Sequence, residues 1–466
     1  MSSASARTCL LLLLGGALAG ALPAAARRLP SPGGKLTVAL PQELVGPTAE
    51  AHIYAPILEA VGDGDAAERL ARPALKGFPR WRSSVVRELS ALEDGKVWRV
   101  VVESQSVLVG DALARCLRGD GTASWPGDVL RARGVTVDVT AAAGDVTLRF
   151  SSPVGPVPEL LAGCALRTPQ AGPTGSYTLS GPGQLRWRNG AFGPPALLGS
   201  IELAAPSARA DLVAGGADVK GAGTLLAPVP DVVLLLQSAE AKASDVLGLN
   251  DAAFGARGFR AALRADLLAA AYAQGRGAAA EGLLPPGVAP ARPLPEPQGP
   301  ERLGPLSLTR LPPDAPRVVL RRDEGDALVD GVVERLAVIL RDRGRLADIV
   351  RAGESDGARG GLEILRWRPP TRDPALALLS LAGRRKDLVA DPAVQRALTD
   401  PALLSSSQAE RMAAALTLER AWMDAGLAIP LLTAERWFTV DPDLRGVVLR
   451  EDGVPLLFDA WFAGPR

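Results

Sequence analysis

Val246-Leu247-Gly248-Leu249-Asn250 reads as a short apolar strand. It is followed by a loop holding Phe254, a helix with Phe259, Leu263 and Leu267, and the stop Leu283-Leu284-Pro285-Pro286-Gly287. The apolar residues of that helix recur at i, i+4 and i+8, the spacing of one buried stripe. Strand, turn and helix therefore form one unit. Further along, Arg317-Val318-Val319-Leu320 is a strand. The helix after it spans about 327–343, buries Leu328, Val332, Leu336 and Ile339, and stops at Gly344. A third strand, Leu362-Glu363-Ile364-Leu365, completes a βαβ pattern with the helix packed on a sheet. The fold class is α/β.

Upstream, Lys35-Leu36-Thr37-Val38-Ala39-Leu40 alternates and ends at Pro41, as a strand entering a core does. The turn Glu93-Asp94-Gly95-Lys96 leads into the strand Trp98-Arg99-Val100-Val101-Val102, a hairpin signal. A helix over 107–117 follows almost at once. Strands at 135–139 and 145–150 flank a Gly144 turn, a proline-led helix occupies 153–161, Ile201-Glu202-Leu203 is a strand, and 208–214 reads as a helix. From Pro285 to Pro316 prolines are dense and no period survives. Ser407-Gln408-Ala409-Glu410 is a capping box for a long helix ending near Gly426.

The chain has 466 residues, 47% hydrophobic and 22% charged, enough for two or more domains. A formal net charge of +1 suggests neither a nucleic-acid surface nor an acidic sink. Residues 1–26 combine Arg7, the apolar run Leu10-Leu11-Leu12-Leu13-Leu14 and Ala24-Ala25-Ala26, the pattern of a cleaved secretory signal peptide. Cys9 precedes the apolar run, whereas a lipid-anchoring cysteine would follow it. A periplasmic or extracellular protein is expected.

Catalytic and metal chemistry find little support. The single histidine, His52, sits on the apolar face of a helix and reads as a packed or surface residue rather than a base. No cluster of His, Cys and carboxylates has zinc spacing. Cys116 and Cys164 either pair in an oxidising compartment or stay as buried thiols. Arg366 and Arg368 flank Trp367 at a strand end, where they either face an anionic or sugar-like ligand or stand as solvated edge residues. Asp373, ahead of Pro374, is expected to cap the next helix.

Taken in order, these landmarks resemble family 5 of the extracellular solute-binding proteins, the dipeptide, oligopeptide and nickel group that serves ABC importers. The resemblance rests on the opening Gly33-Gly34-Lys35-Leu36-Thr37-Val38 and on the helix pattern at His52-Ile53-Tyr54-Ala55-Pro56-Ile57-Leu58-Glu59. It continues through Asp94-Gly95-Lys96 with Trp98, Pro173-Thr174-Gly175-Ser176-Tyr177, the Leu-Pro-Pro-Gly exit at Gly287 and Ile429-Pro430-Leu431. It implies a two-lobed type II periplasmic binding fold with an extra subdomain in the first lobe. The implied boundaries are 35–55, 166–245 and 429–466 for the first lobe, 56–165 for the subdomain and 246–428 for the second lobe, with hinges near Leu247 and Ile429.

The resemblance also implies a ligand site drawing on Gln42, Tyr177, Trp367, Arg368 and Asp373. No cofactor or metal is expected. The implied partners are a small-molecule or peptide ligand and a permease in the inner membrane, with the protein itself a monomer. In peptide-binding members a first aspartate after the tryptophan accepts the peptide's α-ammonium. Here Pro370 occupies that position and Thr371 replaces the following tyrosine, so the usual anchor for a free amino terminus is missing. A descendant that keeps the fold as a sensor or interaction protein is the alternative expectation.

Overall fold

In a computed structural model, the described residues are 34–40, 42–60, 74–120, 124–168, 172–188, 198–204, 210–214, 224–237, 264–272, 277–289, 318–322, 326–342, 346–351, 361–458 and 460–463. The 1–26 segment, the strand at 246–250, Phe254, Phe259, Leu263 and the proline-dense run from 290 onward lie outside them.

β1 (Lys35–Ala39) enters the core as expected, and α1 (Gln42–Ile53) follows. The stretch 52–59, expected to be helical, leaves the helix after Ile53. Pro56 disfavours the helical region for the residue before it, and the chain runs extended into β2 (Glu59–Ala60). β3 (Ala74–Leu75) and β4 (Phe78–Arg82) pair beside β2. β5 (Val86–Leu92) and β6 (Val97–Val102) form the hairpin signalled by Asp94-Gly95, whose φ values of 53° and 83° are what that turn requires. α2 (Ser106–Arg118) begins directly after β6, and α3 (Trp125–Ala132) follows without a counterpart among the sequence expectations. β7 (Val137–Ala142), β8 (Asp145–Phe150) and α4 (Val157–Ala162) complete this part, whose four strands run β5-β6-β8-β7.

The chain then returns to β1 through β9 (Tyr177–Gly181), β10 (Gln184–Trp187), β11 (Ser200–Ala204) and β12 (Leu212–Ala214). The last corrects the helix expected at 208–214. Leu212 and Val213 pair in parallel with Val38 and Ala39, and a short run of buried apolar residues carries no period that separates strand from helix.

β13 (Thr224–Gln237) is followed by α5 (Ala265–Tyr272), β14 (Gly277–Ala279), β15 (Val318–Arg322), α6 (Ala327–Asp342), β16 (Ala347–Arg351) and β17 (Gly361–Trp367). Then come α7 (Pro374–Arg384), α8 (Pro392–Leu398), α9 (Gln408–Asp424) and β18 (Ala428–Val440). The tail holds β19 (Leu444–Arg445), β20 (Val448–Leu449), β21 (Pro455–Leu456) and β22 (Trp461–Phe462). The βαβ unit forms as read, with β15 parallel to both β16 and β17. Leu328, Val332, Leu336 and Ile339 of α6 are buried in its core. Leu267, expected on a buried stripe, is instead 54% exposed, and its neighbour Leu268 makes the core contact.

One 11-stranded sheet runs through the molecule in the order β16-β15-β17-β13-β18-β12-β1-β11-β10-β9, with β14 on β18. Its first-lobe end buries Leu36, Val38, Tyr177, Ile201, Phe438 and Phe458 in one core. At the second-lobe end, alternation along β13 divides two cores. Val233 faces α6 with Leu320 and Ile364, while Val232, Leu234 and Leu236 face the opposite side. On that side lie Trp367, α7, α9 and the subdomain, joined in one continuous core. The contact is close: a Cβ on Gly383 of α7 would collide with the carbonyl oxygen of Asp128 on α3.

The two lobes share the antiparallel ribbon β13–β18. Its register is regular from Val440↔Thr224 to Phe438↔Leu226, shifts, and resumes at Arg436↔Val229. Pro228 and Pro230 lie at this shift and offer no N–H to a ladder. Beyond the shift β18 exchanges β12 for β14 as its other neighbour. The crossing therefore lies at Leu226–Val229 and Arg436–Phe438. The hinge expected near Ile429 is corrected, because Ile429 pairs with Leu235 and is buried in the second-lobe core.

Candidate functional site

A cluster of charged side chains forms where β17 ends. The register Val232↔Trp367 places Asp231 of β13 beside Arg368, and strand alternation sends residues 366 and 368 to the face opposite Trp367. Trp367 is 6% exposed and packs in the subdomain-side core. On the other face the Asp231 carboxylate, buried, accepts from Arg368 Nε at 2.7 Å, Arg368 Nη2 at 3.1 Å and Arg366 Nε at 2.8 Å. Arg366 also donates to Asp326 Oδ2 at 2.9 Å. Burial works against the Arg366 charge, but Asp231 and Asp326 outweigh it, so its pKa is raised.

Of the two expectations for these arginines, the solvated edge does not match this arrangement. They are not solvated edge residues, and their donors face Asp231 and Asp326 rather than open space. Arg368 Nη1 reaches further, to the carbonyl of Asp452 at 3.2 Å in the turn between β20 and β21. The same turn supplies Glu451, whose Oε2 accepts from the Thr371 hydroxyl at 2.8 Å and the Arg372 N–H at 2.9 Å. Thr371 and Arg372, just after Pro370, are thus bonded to a carboxylate from the C-terminal part of the chain.

Asp373 caps α7 as its place before Pro374 implies, accepting from the Leu376 N–H at 3.0 Å. Its second oxygen accepts from Arg411 Nε at 2.7 Å. Arg411, near the start of α9, also donates to the Ser405 carbonyl at 2.7 Å. The buried pair pins the starts of α7 and α9 together. Glu159 of α4 stands 3.6 Å from Arg411. Burial pushes the Glu159 carboxyl up; Arg411 opposes this and the Asp373 and Glu451 charges add to it.

Tyr177 is fully buried in the first-lobe core and donates to the Leu198 carbonyl at 3.2 Å, and burial raises its pKa. It packs edge-on against His52, with ring centroids 5.8 Å apart. His52 is also fully buried. Its Nδ1–H donates to the Thr48 carbonyl at 2.7 Å and its Nε2 accepts the Leu457 N–H at 2.9 Å. Burial lowers its pKa to about 4, so it is a neutral core residue that ties α1 to the tail. Gln42 begins α1, and its side chain is outside the description. The structure therefore brings Trp367, Arg368 and Asp373 into one junction and leaves Tyr177 apart from them.

The residues missed by sequence reading are Asp231, Glu451 and Asp452. Asp231 stands between a proline and an apolar run, and its burial could have been suspected from that setting. Glu451 carries no such signal. Cys116 and Cys164 form a disulfide linking α2 to the end of α4. Among the described residues, no group of three or more His, Cys, Asp or Glu is placed to hold a metal.

No protein-family model matches the sequence, and no curated protein matches it. Solved structures do. NikA from Brucella suis, in complex with Fe(III)-EDTA, is 15% identical with a TM-score of 0.64, over 91% of this chain and 99% of that one. A dipeptide-binding protein from Pseudoalteromonas sp. SM9913, in complex with Met-Leu, is 12% identical with a TM-score of 0.64, over 92% and 100%. The oligopeptide-binding protein AppA from Bacillus subtilis, in complex with a nonapeptide, is 10% identical with a TM-score of 0.60, over 94% and 100%. These likenesses establish the two-lobed fold of the binding proteins to which the sequence resemblance pointed. The similar structures are of binding proteins, not enzymes.

Proposed function

We propose that this two-lobed chain is a periplasmic solute-binding protein, which captures a small solute between its lobes and passes it to the permease of an ABC transporter. The observation that carries the reading is the β13–β18 ribbon. Two long strands cross together between separate hydrophobic cores, and their ladder is interrupted at the crossing by Pro228 and Pro230. A ladder with missing donors bends more readily than a regular one, so the lobes can close and exclude water from a ligand between them. The secretory pattern of residues 1–26 supports the compartment. On this reading the protein works as a monomer without a cofactor.

The ligand contacts differ from the peptide-binding pattern. Arg368, Asp373 and Tyr177 have internal partners, and Thr371 is held by Glu451. The solute is therefore not gripped by a free aspartate after Trp367; Gln42 and the edge around Trp367 stay as proposed contacts. Those internal bonds also favour a second reading, a sensor or interaction protein that keeps the fold without transport. A neighbouring permease gene supports the first and a neighbouring histidine-kinase gene the second.

The test is a thermal-shift panel of dipeptides, oligosaccharides and metal chelates, with each hit followed by small-angle scattering. A ligand at about 100 times its Kd stabilises by roughly 2.7 kcal/mol, a readily measured rise in Tm. A solute that raises Tm and reduces the radius of gyration supports capture by closure. A panel without hits, combined with a stable complex between this protein and a sensor domain, supports the second reading instead.

A further inference from the structure

The turn between β20 and β21 is built as a stiff finger. Its base is fixed in the first-lobe core, where Val454, Leu457 and Phe458 are buried and the Leu457 N–H donates to His52 Nε2 at 2.9 Å. Its tip is fixed by its own bonds. The Arg450 N–H donates to the Val454 carbonyl and the Gly453 N–H to the Arg450 carbonyl, both at 2.8 Å. Gly453 takes a φ of 78°, which closes the turn without a side-chain clash. The Asp452 carboxylate is used inside the finger, accepting from Arg450 Nε at 2.8 Å and from the Val454 N–H at 3.2 Å. That leaves the Asp452 carbonyl and the Glu451 side chain to reach a neighbour.

The neighbour is the end of β17, on the other side of the ribbon crossing. Glu451 Oε2 accepts from the Thr371 hydroxyl at 2.8 Å and the Arg372 N–H at 2.9 Å, and the Asp452 carbonyl accepts from Arg368 Nη1 at 3.2 Å. Arg368 uses its remaining donors, Nε and Nη2, on Asp231 of β13. Asp231 is two residues from Val229, about 7 Å of strand, where the β13–β18 ladder resumes after its interruption. One guanidinium thus joins the finger to the ribbon beside the crossing. A bend at the crossing moves the finger, carried by one core, against the β17 end, carried by the other, and the three bonds to the finger cannot all survive it. Glu451 is half-buried, and bonds of this kind exchange for bonds to water at small net free energy. The contact can therefore break and re-form.

We propose that the 450–453 turn is a latch on the hinge, with Glu451 as its catch. It holds the lobes in the arrangement described here, and its release is a step in every movement between them. The proposal rests on the hinge reading of the β13–β18 crossing given under the proposed function, and adds the residues that set how readily the hinge moves.

Hydrogen exchange followed by mass spectrometry, on the full protein with no ligand added, tests the latch. Exchange reports the population of opened states, and bending at an interrupted ladder opens the bonds beside the interruption first. Glu451→Ala removes two hydrogen bonds to a carboxylate. It should speed exchange about tenfold in the segments 224–232 of β13 and 433–440 of β18, as well as at Arg372. The amides of Val332 and Leu336, in the core of α6, should keep their rates. Glu451→Gln retains an acceptor oxygen and should stay within about threefold of the parent protein. Glu103→Ala, which removes an exposed ion pair with Arg87 in the subdomain, should change neither ribbon segment. Faster exchange confined to residues 371–373 and 450–454 would overturn the proposal, since the contact is then local. So would an equal rise in α6, which marks a general loss of stability. Because no ligand is present, a solute panel without hits leaves this result standing, and a solute that closes the parent protein does not rescue a latch whose loss leaves the ribbon unchanged.

Discussion

Folded protein holds His52 neutral because its two ring nitrogens are already used, one donating to Thr48 and one accepting from Leu457, in a fully buried site. The unfolded chain has no such constraint, and its imidazole takes a proton near the ordinary value of 6.5, against about 4 in the fold. Stability from this residue is complete above the unfolded pKa and is lost as pH falls toward the folded one. The loss amounts to about 3 kcal/mol across that window. The chain has 1 histidine, so a single imidazole signal in NMR reports it. That signal should keep its Nδ1–H tautomer and stay flat from pH 8 to 5, and urea melts should weaken over pH 6.5 to 4. An imidazole titrating near 6.5 would contradict the burial.

Asp231 makes a second claim at the same scale. Replacing it with Asn leaves Arg366 and Arg368 facing a neutral group, and breaking such a buried cluster costs about 3–5 kcal/mol. Denaturant unfolding of Asp231→Asn measures this; a loss below about 1 kcal/mol would mean that the arginines readily turn to solvent. Of these residues only the cap role of Asp373 was legible, because Asp-Pro before an apolar helix is a local signal. The partners of Arg366 and Arg368 come from β13 and from the C-terminal turn, far away in sequence, and no periodicity encodes such pairings.

Among the elements, the disulfide Cys116–Cys164 closes the largest testable constraint. It spans a sequence separation of 48 and ties α2 to α4 inside the subdomain core. By loop closure it stabilises by about 4 kcal/mol. Reduction, or replacing both cysteines with Ala, should lower the melting temperature, and no change in either case would contradict a formed bond. Elements with a strong local signal were legible: α6 by its apolar period, α9 by its Ser407 cap and the β5–β6 hairpin by its turn. Those without one were not. Leu212–Ala214 is too short to carry a period, and α3 is a brief helix beginning with Trp125 and Pro126 that no apolar stripe announces. The ends of β13 and β18 were also hidden, because only their pairing defines the boundary between the lobes.

At the scale of the molecule, the order of elements was legible from the sequence and their grouping was not. The subdomain interrupts the first lobe in the chain, yet it shares one core with α7, α9 and a face of the second-lobe sheet. Burial of that kind depends on which sheet face lies free, which sequence order does not state. The two lobes meet through the β13–β18 ribbon and through the turn holding Glu451 and Asp452, and on the proposed function a solute is captured where they meet. Native mass spectrometry of protein purified without denaturation tests this most directly. Capture between the lobes predicts a discrete small molecule carried at one per chain and released on unfolding. A bare mass, persisting after incubation with peptide, sugar and metal-chelate mixtures, would contradict it.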